Sequence, residues 1–159
     1  MKTLYLIRHG KAESKEGGPD IKRNLEAAGR DEVSRTAEQL LEKHIKPSLI
    51  LSSPANRACQ TAEIVAEMLG YVMTDIVIEK DIYYTSEEAL LETIYRQDDQ
   101  FESILLAGHN PSITHLAGML TKEYKDFMPT GGLVAFETDS ESWNEFDKNK
   151  VRFLFSIYP

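Results

Sequence analysis

Three short apolar runs constrain the fold of this chain more than any other feature. They cover residues 3–8 (TLYLIR), 48–52 (SLILS) and 103–107 (SILLA). Nearly continuous runs of this kind are typical of strands that are buried in a parallel sheet covered by helices. Stretches with helical periodicity separate the runs, so strand and helix alternate along the chain. This alternation predicts an α/β fold.

The first two helices are indicated by periodicity and by capping residues. Apolar residues at three- and four-residue steps predict a helix from about Leu25 to His44. The segment SSPANRACQTAEIVAEMLG predicts the second helix, with Ser53 as its cap and Pro54 at the first helical position. Gly70 fits just past its end.

Two further helices have weaker or shorter signals. A third begins at about Glu87, where Thr85 and Glu88 have the spacing of a capping box. A fourth follows residue 109, with Asn110 as cap and Pro111 at the first helical position.

The remaining strand-like stretches complete the predicted architecture. Residues 76–79 are a weak strand, and residues 132–138 and 151–158 read as a hairpin with a long loop. We therefore expect a three-layer α/β/α sandwich with a mostly parallel central sheet and an antiparallel C-terminal hairpin.

Length and charge limit the domain count and the partners. The chain has 159 residues, which predicts a single domain, residues 1–159. Its net charge is −8, from 18 basic and 26 acidic residues, whereas a nucleic-acid binder would present a basic face. We expect no nucleic-acid partner, while a local site for a phosphorylated substrate stays compatible with this charge.

The cysteine content and the lengths of the apolar segments indicate the cellular compartment of the protein. Cys59 is the single cysteine, so no internal disulfide can form, which fits a reducing compartment. The N-terminal run from Leu4 to Ile7 is too short for a signal-peptide core, and no stretch reaches the ~20 apolar residues of a membrane span. We predict a cytoplasmic protein with no membrane partner.

Arginines and histidines follow three of the predicted parallel strands. Arg8 and His9 end the first, Arg57 lies in the first turn of the helix after the second, and His109 follows the fourth. Alone, each would fit an ordinary polar strand end. Because parallel strands place their carboxyl ends at one edge of a sheet, where ligands bind, we expect these side chains to converge.

This constellation suits a tetrahedral anion. Two arginines can hold its oxygens through charge-assisted hydrogen bonds, and the N-termini of two helices add backbone N–H groups. A neutral histidine beside the anion can attack phosphorus and become phosphorylated. The surrounding positive charges stabilise the transition state and disfavour a protonated imidazole.

The same stretches resemble the motifs of the histidine phosphatase superfamily, which includes the phosphoglycerate mutases. LYLIRHGKAE (4–13) resembles the opening RHG motif, LILSSPANRACQTAEIVAEMLG (49–70) the second motif and LLAGHNPSI (105–113) the third. The spacings and PTGG (129–132) are most similar to the short SixA-type phosphohistidine phosphatases. The resemblance runs from Leu4 to about Phe136 and implies a phosphoglycerate mutase-like fold without a helical capping insertion.

The resemblance also implies residue roles. His9 would be the nucleophile that becomes phosphohistidine. Arg8, Arg57 and His109 would bind the transferred phosphoryl group, and Asn110 would join them at the phosphate. No cofactor and no metal are implied.

The general acid is the least defined part of the pattern. Asp20, in PDIKRNL (19–25), occupies the place of an aspartate that SixA-like sequences often carry before Arg-Pro-Leu, although Asn24 here replaces the proline. Asp20 is the candidate general acid. A phosphohistidine substrate would need little help from an acid, because a protonated imidazole leaves readily. The alternatives that stay open are Glu79, Asp81, Glu87 and Glu88.

Other chemistries fit the sequence less well. His109 and His115 have no carboxylate at a common metal-ligand spacing. Cys59 lies inside a predicted helix and is expected to be a packed residue. Ser52 and Ser53 lack a G-x-S-x-G elbow and are better read as helix-capping residues.

We therefore expect a phosphatase that works through phospho-His9 on a phosphorylated protein, in particular a phosphohistidine protein. A phosphatase for small phosphorylated metabolites with the same mechanism is the alternative. A mutase is less expected, because it favours an enclosed site that excludes water. A phosphate-binding module without turnover is a third reading, and the intact His9 argues against it.

Overall fold

A single six-stranded sheet organises the chain, and the computed structural model describes all of residues 1–159. The strand order across the sheet is β3-β2-β4-β1-β5-β6. The strands are β1 (Lys2–Arg8), β2 (Leu49–Ser52), β3 (Val77–Ile78), β4 (Ser103–Gly108), β5 (Leu133–Thr138) and β6 (Val151–Ile157).

The strand pairing confirms the predicted sheet. Strands β3, β2, β4 and β1 run parallel to their neighbours. Strand β5 pairs antiparallel with β1, and β6 pairs antiparallel with β5 to form the C-terminal hairpin.

Two helices cover each face of the sheet, which confirms the three-layer α/β/α architecture. Helices α1 and α2 pack on one face, and α3 and α4 pack on the other. None of them combines the length and the apolar character that a membrane crossing needs. The helices are α1 (Ala27–Glu42), α2 (Asn56–Leu69), α3 (Glu87–Tyr95) and α4 (Ser112–Leu120).

Strand β1 contributes to both apolar cores. Leu4 and Leu6 belong to the core under α3 and α4, whereas Tyr5 and Ile7 belong to the core under α1 and α2. Successive side chains of a strand point to opposite faces, so a strand covered on both sides has to be apolar throughout. This explains the continuous apolar run.

The second helix begins later than its sequence predicts. Ser53 and Pro54 precede α2, which starts at Asn56 with Ala55 in the cap position. The reason is that Ser53 still belongs to the sheet edge, because its N–H donates to the Ala107 carbonyl. The predicted end is confirmed: the backbone at residue 70, a glycine, is left-handed with a φ of 70°.

The predicted cap of the third helix is wrong by one residue. The Ser86 hydroxyl accepts a hydrogen bond from the Ala89 N–H at 3.1 Å, so Ser86 caps α3 and the proposed Thr85–Glu88 box does not form. Tyr84, two residues before Ser86, has a positive φ of 46°.

The bounds of α1 and α4 also differ from the predicted ones. Helix α1 starts at residue 27 because Leu25 is held in an isolated bridge with Ala12, and it ends before His44, whose φ is 58°. Helix α4 starts at residue 112 because the Asn110 side chain donates to the Met128 carbonyl instead of capping the helix.

A close backbone contact fixes the segment that follows β1. A Cβ at Gly10 would lie 2.5 Å from the Gly29 oxygen, and a Cβ at Gly29 would lie 2.1 Å from the Lys11 oxygen. Only glycine allows this approach. The first turn of α1 therefore holds the backbone on which His9 stands.

We expect Gly29→Ala to destabilise the protein, although alanine is the better helix former. Overpacking against the Lys11 carbonyl should lower the free energy of unfolding by about 1–3 kcal/mol, measurable by urea denaturation. Gly118→Ala in α4 is the matched control, because a Cβ there meets nothing within 4 Å. It should be neutral or stabilise the protein by up to ~1 kcal/mol. Equal effects of the two substitutions would contradict the contact.

Candidate active site

A cavity of about 590 Å³ opens where β1, β2 and β4 end. Its volume is typical of a small-molecule site. Polar side chains dominate its lining, which includes the predicted nucleophile, the predicted phosphate-binding residues and the candidate general acid. These residues are Arg8, His9, Asp20, Arg57, His109 and Asn110.

His9 stands directly after β1 and is almost fully buried. Its backbone N–H donates to the Gly108 carbonyl, and its Nδ1 lies 2.7 Å from the Gly10 carbonyl oxygen. A carbonyl oxygen can only accept, so Nδ1 carries the ring proton and donates it. The Nε2 atom of His9 therefore has a free lone pair.

His109 lies beside His9 at the end of β4. The two ring centroids are 5.1 Å apart, and the Tyr83 ring meets His109 edge-on at 5.6 Å. The Nε2 atom of His109 is 2.7 Å from the Ser53 hydroxyl oxygen. The imidazole is thus held by a buried partner behind it.

Both histidines are neutral at physiological pH. The pKa of His9 is lowered to about 4, mainly by burial and in smaller part by the charges of Arg57 and Arg8, against the opposing effect of the Gly10 hydrogen bond. Burial also lowers the pKa of His109 to about 3, with smaller contributions from His9 and Arg57. Nearby positive charge, the cause expected from the sequence, contributes less to this neutrality than desolvation does.

The two arginines approach the cavity with part of their hydrogen-bonding capacity unused. Arg8 donates through Nη1 to the Met128 carbonyl at 2.9 Å, and its guanidinium lies over the Phe127 ring. The Nε atoms of Arg8 and Arg57 are buried and have no partner in the protein, and the same holds for Nδ1 of His109. Buried donors of this kind are costly unless an acceptor meets them.

Asp20 reaches the cavity from the loop between β1 and α1. Its Oδ2 lies 3.0 Å from Nη2 of Arg57 and accepts from the Tyr83 hydroxyl at 2.7 Å, while Oδ1 accepts from Nε of Arg23 at 3.0 Å. Burial opposes the charge on Asp20, but the hydrogen bonds from Tyr83 and Arg57 and the nearby guanidinium charges outweigh it. They hold the pKa of Asp20 well below its usual range, so the group is a carboxylate.

None of the alternative acid candidates lines the cavity. Asp81 pairs with Arg96 at 3.2 Å, and Glu87 lies 3.7 Å from His115. Glu79 and Glu88 are likewise absent from the cavity lining. Asp20 is the one carboxylate among the lining residues.

Asn110 lines the cavity with a side chain that is already engaged. Its Nδ2 donates to the Met128 carbonyl at 2.8 Å, and its Oδ1 accepts from the Thr114 hydroxyl at 2.5 Å. The bond to Met128 ties the residues before α4 to the segment before β5. The phosphate-binding role of Asn110 stays a prediction.

Three site residues were not singled out for this role by the sequence. Arg23 and Tyr83 hold Asp20, and Ser53 holds His109. Arg23 lies in the segment that departs from the Arg-Pro-Leu pattern, which is the one signal that points to it. Tyr83 and Ser53 have no such signal, because their partners are distant in sequence.

Cys59 is a packed residue, as expected. Its Sγ donates to the Ser53 carbonyl at 3.2 Å, and burial raises the pKa of its thiol. It does not line the cavity. No group of three His, Cys, Asp or Glu side chains has the geometry of a metal site.

Comparisons with known proteins agree with this geometry. Residues 4–83 match the family model of the histidine phosphatase superfamily (branch 1). Phosphoglycerate mutase 1 of Saccharomyces cerevisiae is 40% identical over 72 residues, which are 42% of this chain and 28% of the mutase. The chain spans well under half the length of the curated relatives that it matches.

Two solved structures cover nearly the whole chain. A provisionally named phosphohistidine phosphatase SixA from Agrobacterium tumefaciens superposes with a TM-score of 0.81 at 28% identity, over 99% of both chains. A protein histidine phosphatase SixA in complex with tungstate gives a TM-score of 0.80 at 19% identity, over 98% of this chain and 96% of that one. At 19% identity, the similarity to this second structure shows a shared fold and nothing more.

We expect the two buried histidines to make stability depend on pH. Below about pH 6.5 they are protonated in the unfolded chain but neutral in the folded protein, so unfolding takes up protons. The free energy of unfolding should therefore fall as the pH drops from 6.5 towards 4, by about 1.4 kcal/mol per pH unit for each histidine. Urea denaturation between pH 6.5 and 5 measures this slope. His9→Gln and His109→Gln should each reduce it, and an unchanged slope in both variants would contradict the assignment.

Proposed function

The chain belongs to the histidine phosphatase superfamily, and on this basis we propose that it is a phosphatase that works through a covalent phosphohistidine intermediate on His9. One observation carries the proposal. Three buried nitrogens without a protein partner, Nε of Arg8, Nε of Arg57 and Nδ1 of His109, belong to residues that line the cavity beside the free Nε2 lone pair of His9.

These nitrogens suit a phosphoryl group. Its oxygens are acceptors and carry negative charge, and guanidinium donors bind such oxygens strongly. Arg57 can use its Nε–H while its two Nη atoms stay bonded to Asp20. The protein is acidic overall, so this local set of donors is what makes an anion favourable here.

In the first step, Nε2 of His9 attacks phosphorus and the bond from phosphorus to the leaving group breaks. The ring then carries a phosphoryl group on Nε2 and a proton on Nδ1. The Gly10 carbonyl, 2.7 Å from Nδ1, stabilises the positive charge that develops on the imidazole. Arg8, Arg57 and His109 stabilise the negative charge on the transferred oxygens.

In the second step, water attacks the phosphoryl group and the bond from phosphorus to Nε2 breaks. Inorganic phosphate leaves, and the His9 lone pair is restored. The proton of the attacking water needs an acceptor. Asp20 is the one carboxylate among the residues that line the cavity, and it is the group available to accept this proton.

The ionisation of Asp20 favours a phosphoramidate substrate. A carboxylate cannot donate a proton to an alkoxide leaving group in the first step. The imidazole of a phosphohistidine leaves readily in its protonated form and needs no such donor. We therefore favour a protein-borne phosphohistidine as substrate, in line with the phosphohistidine phosphatase name carried by the Agrobacterium structure. Small phosphate esters are the second candidate, which the phosphoglycerate mutase name of the yeast relative supports.

The cavity mouth also supports a macromolecular substrate. Tyr84, which lines the cavity, is 78% exposed, and the basic side chains of Lys11 and Lys15 lie on the same lining.

We treat residues 1–159 as one histidine phosphatase domain without a capping insertion. The cytoplasmic location stays a prediction from the sequence.

Rapid acid quenching during turnover tests the mechanism. With phosphoramidate or a phosphohistidine protein as substrate, the enzyme should carry an acid-labile, alkali-stable phosphate on His9, identified by mass spectrometry of an alkaline digest. His9→Ala should lose both the label and turnover. Cys59→Ser is the matched control and should retain both. Normal turnover by His9→Ala would overturn the proposal.

Asp20→Asn should separate the two steps. With phosphoramidate as substrate the phosphoenzyme should still form, whereas its hydrolysis should slow by about 10²–10⁴-fold because the water has lost its base. Labelled enzyme should therefore accumulate. Asp81→Asn is the control, since that carboxylate pairs with Arg96 away from the cavity. A variant whose label decays at the wild-type rate would exclude Asp20 as the base.

A further inference from the structure

Ser53 is a fully buried residue that lies behind the candidate site. It follows β2 and does not line the cavity. Its Oγ atom has two polar neighbours, the backbone nitrogen of Ala55 at 3.1 Å and Nε2 of His109 at 2.7 Å. Ser53 therefore contacts His109 but does not reach the cavity in which an anion would bind.

The direction of these two hydrogen bonds follows from proton accounting. The Ala55 N–H can only donate, so it occupies a lone pair of the Ser53 oxygen. The hydroxyl proton then has one acceptor within reach, which is Nε2 of His109. If Nε2 carried a proton instead, the buried Ser53 hydroxyl hydrogen would face it without an acceptor, which is costly. The Ser53 hydroxyl thus donates, and Nε2 accepts.

The protonation of His109 follows from this bond. A neutral imidazole has one N–H, and with Nε2 as acceptor the proton resides on Nδ1. Nδ1 is the buried atom of His109 that has no partner in the protein. We infer that Ser53 is a positioning residue that holds His109 as the Nδ1–H tautomer, so that His109 donates a hydrogen bond to the phosphoryl group. This inference rests on the proposed function for its catalytic consequence, but not for the tautomer itself.

The two neighbouring histidines are then prepared for opposite tasks by opposite partners. An acceptor, the Gly10 carbonyl, fixes the proton of His9 on Nδ1 and leaves Nε2 as a nucleophile. A donor, the Ser53 hydroxyl, occupies Nε2 of His109 and leaves Nδ1–H as a hydrogen-bond donor. With the other tautomer, His109 would present a lone pair to the phosphoryl oxygens and repel them.

Histidine ¹⁵N NMR tests the assignment without any turnover. Two-bond ¹H–¹⁵N correlation spectra of the ¹⁵N-labelled protein at pH 7 should show His109 protonated on Nδ1 and unprotonated on Nε2. Inorganic phosphate should shift the Nδ1 resonance. A wild-type spectrum with His109 protonated on Nε2 would overturn the inference, and this measurement needs no variant to fold.

Variants test the role of Ser53. Ser53→Ala should populate the Nε2–H tautomer and lower kcat for phosphoramidate by about tenfold or more, as expected when a donor to the reacting group is lost. Ser53→Thr keeps a hydroxyl and should keep the tautomer. Ser52→Ala is the matched control: Ser52 is equally buried, but its hydroxyl donates to the Ser53 carbonyl and does not contact His109.

The outcomes separate this inference from the proposed function. If Ser53→Ala leaves the tautomer unchanged, Ser53 does not position His109, whatever the activity. If the wild-type tautomer is the inferred one and Ser53→Ala changes it, but no phospho-His9 forms in the wild type, the proposed function fails and the positioning contact stands.

Discussion

Strand β1 lies between β4 and β5 and is buried on both faces, and this position decides where its last residues emerge. Burial of its apolar side chains fixes the register against both neighbours, because a shift by one residue would turn every side chain to the wrong face. Arg8 and His9 are therefore delivered to the sheet edge together. The close contact between Gly10 and Gly29 then holds the chain that leaves the strand.

The electrostatics of the cavity depend on the same burial. Desolvation keeps His9 and His109 neutral, while the guanidinium groups of Arg8 and Arg57 stay charged and retain unpartnered donors. Asp20 offsets part of this positive charge but leaves the Nε donor of Arg57 unoccupied, because it bonds only the two Nη atoms. The site thus combines a neutral nucleophile with donors for an anion, two properties that a solvated cluster of the same residues would not keep.

Local signals predicted the elements well and their first residues less well. The end of α2 at residue 70 follows from the glycine itself, because a left-handed conformation is open to that residue at little cost. The starts of α2 and α4 differ because their expected caps are engaged elsewhere, Ser53 by the sheet and His109, and Asn110 by the Met128 carbonyl. A capping residue cannot be recognised from sequence when a distant group competes for its side chain.

The sequence by itself determined the alternation of strands and helices and the convergence of Arg8, His9, Arg57 and His109, because strand burial and parallel connection are encoded in local patterns of apolar residues. It also placed Asp20 among the candidates. Only the tertiary structure decided which of the carboxylates reaches the cavity, that Asp20 is ionised there, and which nitrogen of each histidine holds the proton. Those properties depend on contacts between residues far apart in the chain, such as Asp20 with Tyr83 and Ser53 with His109, and no local pattern encodes them.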